Sequence, residues 1–239
     1  MQDDELPRRK ARSPVAWLGM AALITIVIWQ MPMGGMMLYP FSILATWFHE
    51  MGHGLTAMLM GGGFKQLVLF PDGSGVAWHT TQGRLQQVMV SAGGLLGPPL
   101  AGAGLILSGV SARRSRLALT GLGLLLLIST LIWVRGAFGW VILPPMGLSL
   151  LWAGLKGPDW LQPVLIQFLG VQACISSFQQ LDYLFMQQAN LGGQVMLSDT
   201  GKIAENLFLP YWFWGGLIAA LSFALLFGSL RQVARRQKS

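Results

Sequence analysis

Long apolar stretches separated by short polar or basic links occupy almost the whole chain, at residues 15–31, 39–60, 85–110, 117–134, 137–155, 161–186 and 208–230. A helix needs about 20 apolar residues to cross a hydrocarbon layer, and most of these stretches reach that length. The fifth is interrupted by Pro144 and Pro145, which lack backbone donors, so it is expected to be kinked or re-entrant rather than a clean span. The pattern predicts an all-α polytopic membrane protein with six or seven transmembrane helices. It reads as a single domain, 1–239, embedded in the lipid bilayer.

The link at 61–84 has a different period. Two short β-prone runs, 64–70 and 76–80, flank the turn-forming string Pro71, Asp72, Gly73, Ser74, Gly75. They predict a small β-hairpin at the membrane face, the alternative being a plain connector with a tight turn. A hairpin there offers unpaired backbone groups along either strand, which an extended peptide can join.

Composition agrees with the membrane assignment, at 53% hydrophobic against 10% charged residues. The net charge of +7 comes largely from basic runs in the amino-terminal tail, 1–14, at 112–116 and in the carboxy-terminal tail, 231–239. Each run flanks an apolar stretch, as contact with anionic headgroups requires, and none is interleaved with aromatic residues, so no nucleic-acid partner is expected. Lysine and arginine divide evenly between the two sides of seven crossings. Only the run Arg8–Arg12, directly before the first stretch, favours a cytoplasmic amino terminus. Acidic residues precede that run and no small-residue cleavage site follows, so an uncleaved first span is expected rather than a signal peptide. The single cysteine, Cys174, excludes an intramolecular disulfide.

Candidate chemistry comes from the few ionisable groups inside apolar stretches, His49, Glu50, His53 and Asp182. A charge at membrane depth costs a few kcal/mol on insertion scales, so such groups point to function. His49 and His53 are four residues apart and share one helix face, with Glu50 beside the first, the HExxH arrangement of a zinc site. Two neutral imidazoles suit one Zn2+ ion, a catalytic zinc keeps a position for water, and Glu50 is placed as general base. Such a site needs a third protein ligand. Asp182, near the end of the sixth stretch, is the leading candidate, since a metal would neutralise a carboxylate that lipid penalises. His79, after the hairpin, is the alternative. Asp199 reads instead as a helix-start residue beside Ser198, and Gln179, three residues before Asp182, as a group that could orient that carboxylate or make a polar contact between spans.

HEMGH at 49–53 inside a span, a hairpin, the Gly- and Pro-rich string SAGGLLGPPLAG at 91–102 and QLDYLF at 180–185 together resemble the site-2 protease family of intramembrane zinc metalloproteases, in its compact bacterial branch. Asp182 matches the family's aspartate ligand, with Tyr183 following where the family carries glycine. The resemblance implies hydrolysis of a peptide bond in or beside a transmembrane segment of another protein, with Glu50 catalytic, His49, His53 and Asp182 on the metal, and residence in a bacterial cytoplasmic membrane. Two other classes fit the composition. A zinc-binding adaptor that cuts nothing would not need Glu50, and a transporter would spread its charges over several spans or show an inverted repeat.

Overall fold

The computed structural model describes residues 14–179, 181–191 and 194–236. Nearly all of the basic amino-terminal tail, Gln180, the end of the carboxy-terminal tail with Lys238, and the side chain of Gln179 lie outside the described residues. The chain is mostly helical. α1 is Pro14–Trp29 and α2 is Gly34–Leu59, followed by the strands β1, Gly63–Leu69, and β2, Gly75–Thr80. Then come α3, Arg84–Ser108, α4, Ala112–Ile132, the two-residue strand β3, Val134–Arg135, α5, Ala137–Lys156, and α6, Leu161–Gln179. The chain continues through the single turn α7, Leu181–Leu184, the strands β4, Gln188–Leu191, and β5, Gln194–Leu197, and the helices α8, Asp199–Asn206, and α9, Tyr211–Arg236.

Four of the described helices, α3, α4, α5 and α9, are long and apolar enough to cross a membrane, and α6 contributes a shorter apolar helix. Their outward positions carry bare apolar side chains such as Leu100, Leu131, Val141 and Phe227. A water-soluble surface does not tolerate that much contiguous apolar area, whereas lipid does. The protein is an integral membrane protein. α5 is one continuous helix through Pro144 and Pro145, long and apolar enough to cross a membrane.

Small residues decide how the helices meet. α3 runs back along α2 with Gly93 and Gly94 laid against Gly52, and Gly97 against the backbone of Phe48, leaving no room for a Cβ at these crossings. α6 packs on the other side of α3 through Gly102 and Gly170, and the Cys174 thiol reaches the Pro99 carbonyl at 3.6 Å. The main core joins Ile43, Leu44 and Trp47 of α2 to Leu119, Leu122 and Leu126 of α4, Leu143 and Leu150 of α5, and Leu67 and Leu69 of β1. Trp47 donates its indole N–H to Ser129 Oγ at 3.0 Å, satisfying the one polar atom of a buried ring.

The expected hairpin is present, with β1 antiparallel to β2 and a bulge between Phe64 and Gln66. β3, from the α4–α5 turn, adds to it in parallel, giving the order β2-β1-β3. The outer edge of β1 is therefore partly paired, and the expectation of an open edge on either strand narrows to β2. Two hydrogen bonds fasten the hairpin turn to α2: Thr46 Oγ1 donates to the Gly73 carbonyl at 2.7 Å and the Tyr39 hydroxyl to the Pro71 carbonyl at 2.7 Å. Asp72 Oδ1 accepts from the Ser74 N–H and hydroxyl, which hold its carboxyl below the ordinary range and shape the turn.

Helical residues of the sixth apolar stretch are described over Leu161–Gln179 and Leu181–Leu184, and a second antiparallel hairpin, β4–β5, lies between them and α8.

Candidate metal centre

Helix α2 presents His49 and His53 on the face turned toward α3 and α8. His53 Nδ1 lies 2.9 Å from the Val90 carbonyl of α3. A carbonyl can only accept, so Nδ1 carries the proton and Nε2 is left with its lone pair. That nitrogen stands 3.0 Å from His49 Nε2 and 3.1 Å from Asp199 Oδ2, and His49 Nε2 stands 3.1 Å from the same oxygen. Three electron-rich atoms converge on one point. In a tetrahedral zinc site with bonds near 2.0–2.1 Å, neighbouring ligand atoms lie about 3.3 Å apart, so the donor set fits that metal in both chemistry and spacing. Among the described residues this is the one cluster of three such groups able to hold a metal ion.

Asp199 is the member of the trio whose approach to the histidines the sequence did not reveal. Ser198 caps α8, its hydroxyl accepting from the Gly201 N–H at 3.0 Å, so the helix-start reading of this pair holds. Asp199 follows as the first helical residue and its side chain, only 1% exposed, turns inward onto the histidines. A carboxylate so buried requires partners on both oxygens. Oδ2 accepts from the Tyr183 hydroxyl at 3.0 Å, Oδ1 faces Lys202 Nζ at 3.2 Å, and the Asp199 N–H reaches back to the Tyr183 oxygen at 3.3 Å. Burial pushes this carboxyl up, but the neighbouring His53 and Lys202 outweigh it and hold it well below the usual carboxylate range. The same burial, with Asp199 and Glu50 nearby, raises the Tyr183 phenol well above its ordinary value, so it stays a neutral donor.

Asp182 is not brought to the histidines. It lies in α7 with its side chain exposed, and its neighbour Tyr183 faces the site instead. The sequence offered Asp182 because a carboxylate inside an apolar run would need a partner, whereas its exposed side chain has no such need. His79 does approach. Its ring stacks on that of His53, 5.8 Å between centroids and 16° between planes, while its Nδ1 donates to the Ala77 carbonyl at 3.0 Å. Burial, then the proximity of His53, lowers its pKa and keeps it neutral. His79 is outside the convergent trio.

Glu50 is buried beside the trio. Gly75 at the start of β2 packs on it so closely that a Cβ there would lie 2.8 Å from Glu50 Cγ and 2.8 Å from Thr46 Cγ2. Glu50, the trio and both faces of this contact open into a cleft of about 720 Å³, walled by the first hairpin on one side and by Tyr183, Met196 and Lys202 on the other. A peptide-sized ligand fits such a volume.

A helical HExxH pair, a hairpin-walled cleft and surrounding apolar helices thus meet at one group of side chains that could hold a metal ion. The family described as Peptidase M50B-like matches residues 17–229, and the chain belongs to it, within the site-2 proteases. No curated protein and no solved structure matches the chain.

Proposed function

We propose that the protein is a one-zinc intramembrane endopeptidase that hydrolyses a peptide bond in or near a transmembrane segment of another membrane protein, in a bacterial cytoplasmic membrane. The observation that carries this is the convergence of His49 Nε2, His53 Nε2 and Asp199 Oδ2 within 3.0–3.1 Å of one another beside the buried Glu50. In this reading those three residues hold the ion, Asp199 taking the place expected of Asp182. When bound, zinc supplies Lewis acidity and brings the pKa of water toward 7. Glu50 accepts a proton from the attacking water and returns it to the leaving amine. Val90 fixes the His53 tautomer, so the imidazole offers a lone pair rather than a proton to the metal.

A helical substrate hides its carbonyls in its own hydrogen bonds and must unwind before attack. The free edge of β2, which borders the cleft, is suited to hold the unwound segment extended by strand addition.

The test compares membranes from cells expressing wild type and Glu50→Gln, measuring the abundance of membrane proteins and the zinc content of the purified chains. Accumulation of one or more uncut membrane proteins only with Glu50→Gln, at equal zinc content, is the expected result. Identical processing in both would sink the protease reading.

A further inference from the structure

The convergent trio depends on a segment that is closed on itself. Tyr183 and Asp199 are sixteen residues apart, and their paired hydrogen bonds close the neck of the loop that carries β4 and β5. Further bonds double the closure: the Ser198 N–H donates to the Gln187 carbonyl at 3.0 Å, and the Ser198 hydroxyl to the Met186 carbonyl. Gly201 packs so tightly on the Gln187 carbonyl that no Cβ fits between them. Both Asp199 oxygens are thereby spoken for, Oδ2 by Tyr183 and Oδ1 by Lys202, before any ion is considered. The Tyr183 ring also stands edge-on to His49, 6.1 Å between centroids, so one side chain touches two members of the trio.

We propose that Tyr183, assisted by Lys202, is a positioning residue that latches α7 to the start of α8 and by the same bonds aims Asp199 Oδ2 at the metal, so that this latch and metal binding are coupled. This rests on the metal reading above. Two bonds to one carboxylate fix its rotamer as well as its place. Without the phenol hydroxyl, Asp199 keeps Lys202 on Oδ1, and Oδ2 is free to swing from the histidines. Partners of this kind behind a metal ligand are typically worth about ten- to a hundred-fold in affinity. Coupling is reciprocal, so an ion that needs the latch closed must also hold it closed.

The test uses full-length protein in detergent, with Co2+ alone as the probe, followed by its visible absorption and by chelator competition. Hydrogen exchange of β4, β5 and residues 184–187 is measured with and without the ion. Wild type is expected to bind Co2+ with the intense absorption of a four-coordinate site and to gain exchange protection in these segments. Tyr183→Phe, which deletes one oxygen and keeps the ring, is expected to bind Co2+ at least ten-fold more weakly, with a changed spectrum and a smaller gain in protection. Lys202→Met should weaken binding in the same direction, and Lys202→Arg should restore it. If both Tyr183→Phe and Lys202→Met match wild type in affinity, spectrum and protection, the latch is overturned while the metal site stands. If wild type takes up no Co2+ or Zn2+, the metal reading falls and the latch falls with it.

Discussion

Gly94 of α3 lies directly against the imidazole of His53, with the ring filling the space a Cβ would take. Val90 and Gly94 are four positions apart, about one helical turn, so the same stretch of α3 both accepts the His53 N–H and clears room for its ring. Gly94→Ala is therefore expected to push His53 or the whole α2–α3 crossing aside. Overpacking of this kind costs about 1–3 kcal/mol, and the misplaced imidazole should reduce zinc affinity at least ten-fold. Zinc titration of the purified variant beside a thermal unfolding scan checks both effects.

Asp199 and Asp182 are separated by their surroundings, one buried on the histidines and the other exposed. Asp199→Asn is expected to abolish stable zinc binding, and Asp182→Asn to leave it within about two-fold of wild type, since exposed substitutions are usually nearly neutral. Metal analysis after dialysis against a weak chelator separates the two. Zinc lost from Asp182→Asn and retained by Asp199→Asn would reverse the ligand assignment.

Gly75 bears on Glu50, the proposed general base, and not on the three convergent atoms. A methyl group there meets Glu50 Cγ and Thr46 Cγ2 at 2.8 Å. Gly75→Ala is expected to lower the cleavage rate by about ten-fold or more, the equivalent of roughly 1.4 kcal/mol in the barrier, while zinc content stays the same. Rate and metal content measured on one preparation decide it.

Acidification should release the metal through the imidazoles before Asp199. Its pKa is depressed, so the charged form persists from neutral pH down through the ordinary carboxylate value of about 3.9, and its contribution is lost only as pH falls through its own lower value. Protons compete with metal for imidazole nitrogens at higher pH, in general about 5–7. Zinc retention against pH is expected to fall in that window, with no second loss near pH 4. A midpoint near 4 would mean that Asp199 controls release.

The helical class, the first hairpin and the HEMGH pair are all legible in the sequence because each is written in local spacing. Apolar length marks the helices, Pro71–Gly75 marks the turn, and the i, i+4 histidines mark one helix face. Asp199 was hidden because Ser198 and Asp199 fully satisfy a local reading as a helix start, and nothing nearby announces a partner 146 residues earlier. Asp182 misled for the opposite reason, since an unbroken apolar run through residue 186 made its carboxylate look stranded. Tyr183 drew notice only as a departure from the family's glycine, and its partner on Asp199 gives that departure a role. β3 is two residues long and exists only because β1 is there to pair with it, so no local pattern could mark it.

That short strand has a consequence for how copies of the chain can meet. Val134 and Arg135 cover the side of β1 away from β2, so this sheet has a single long free flank. Two copies joining flank to flank would each use up β2 and leave little backbone for a third. Among the described residues β3 thus blunts the β1 side of the sheet at Leu67 and Val68, and the β2 side is left as the longer edge for any added strand.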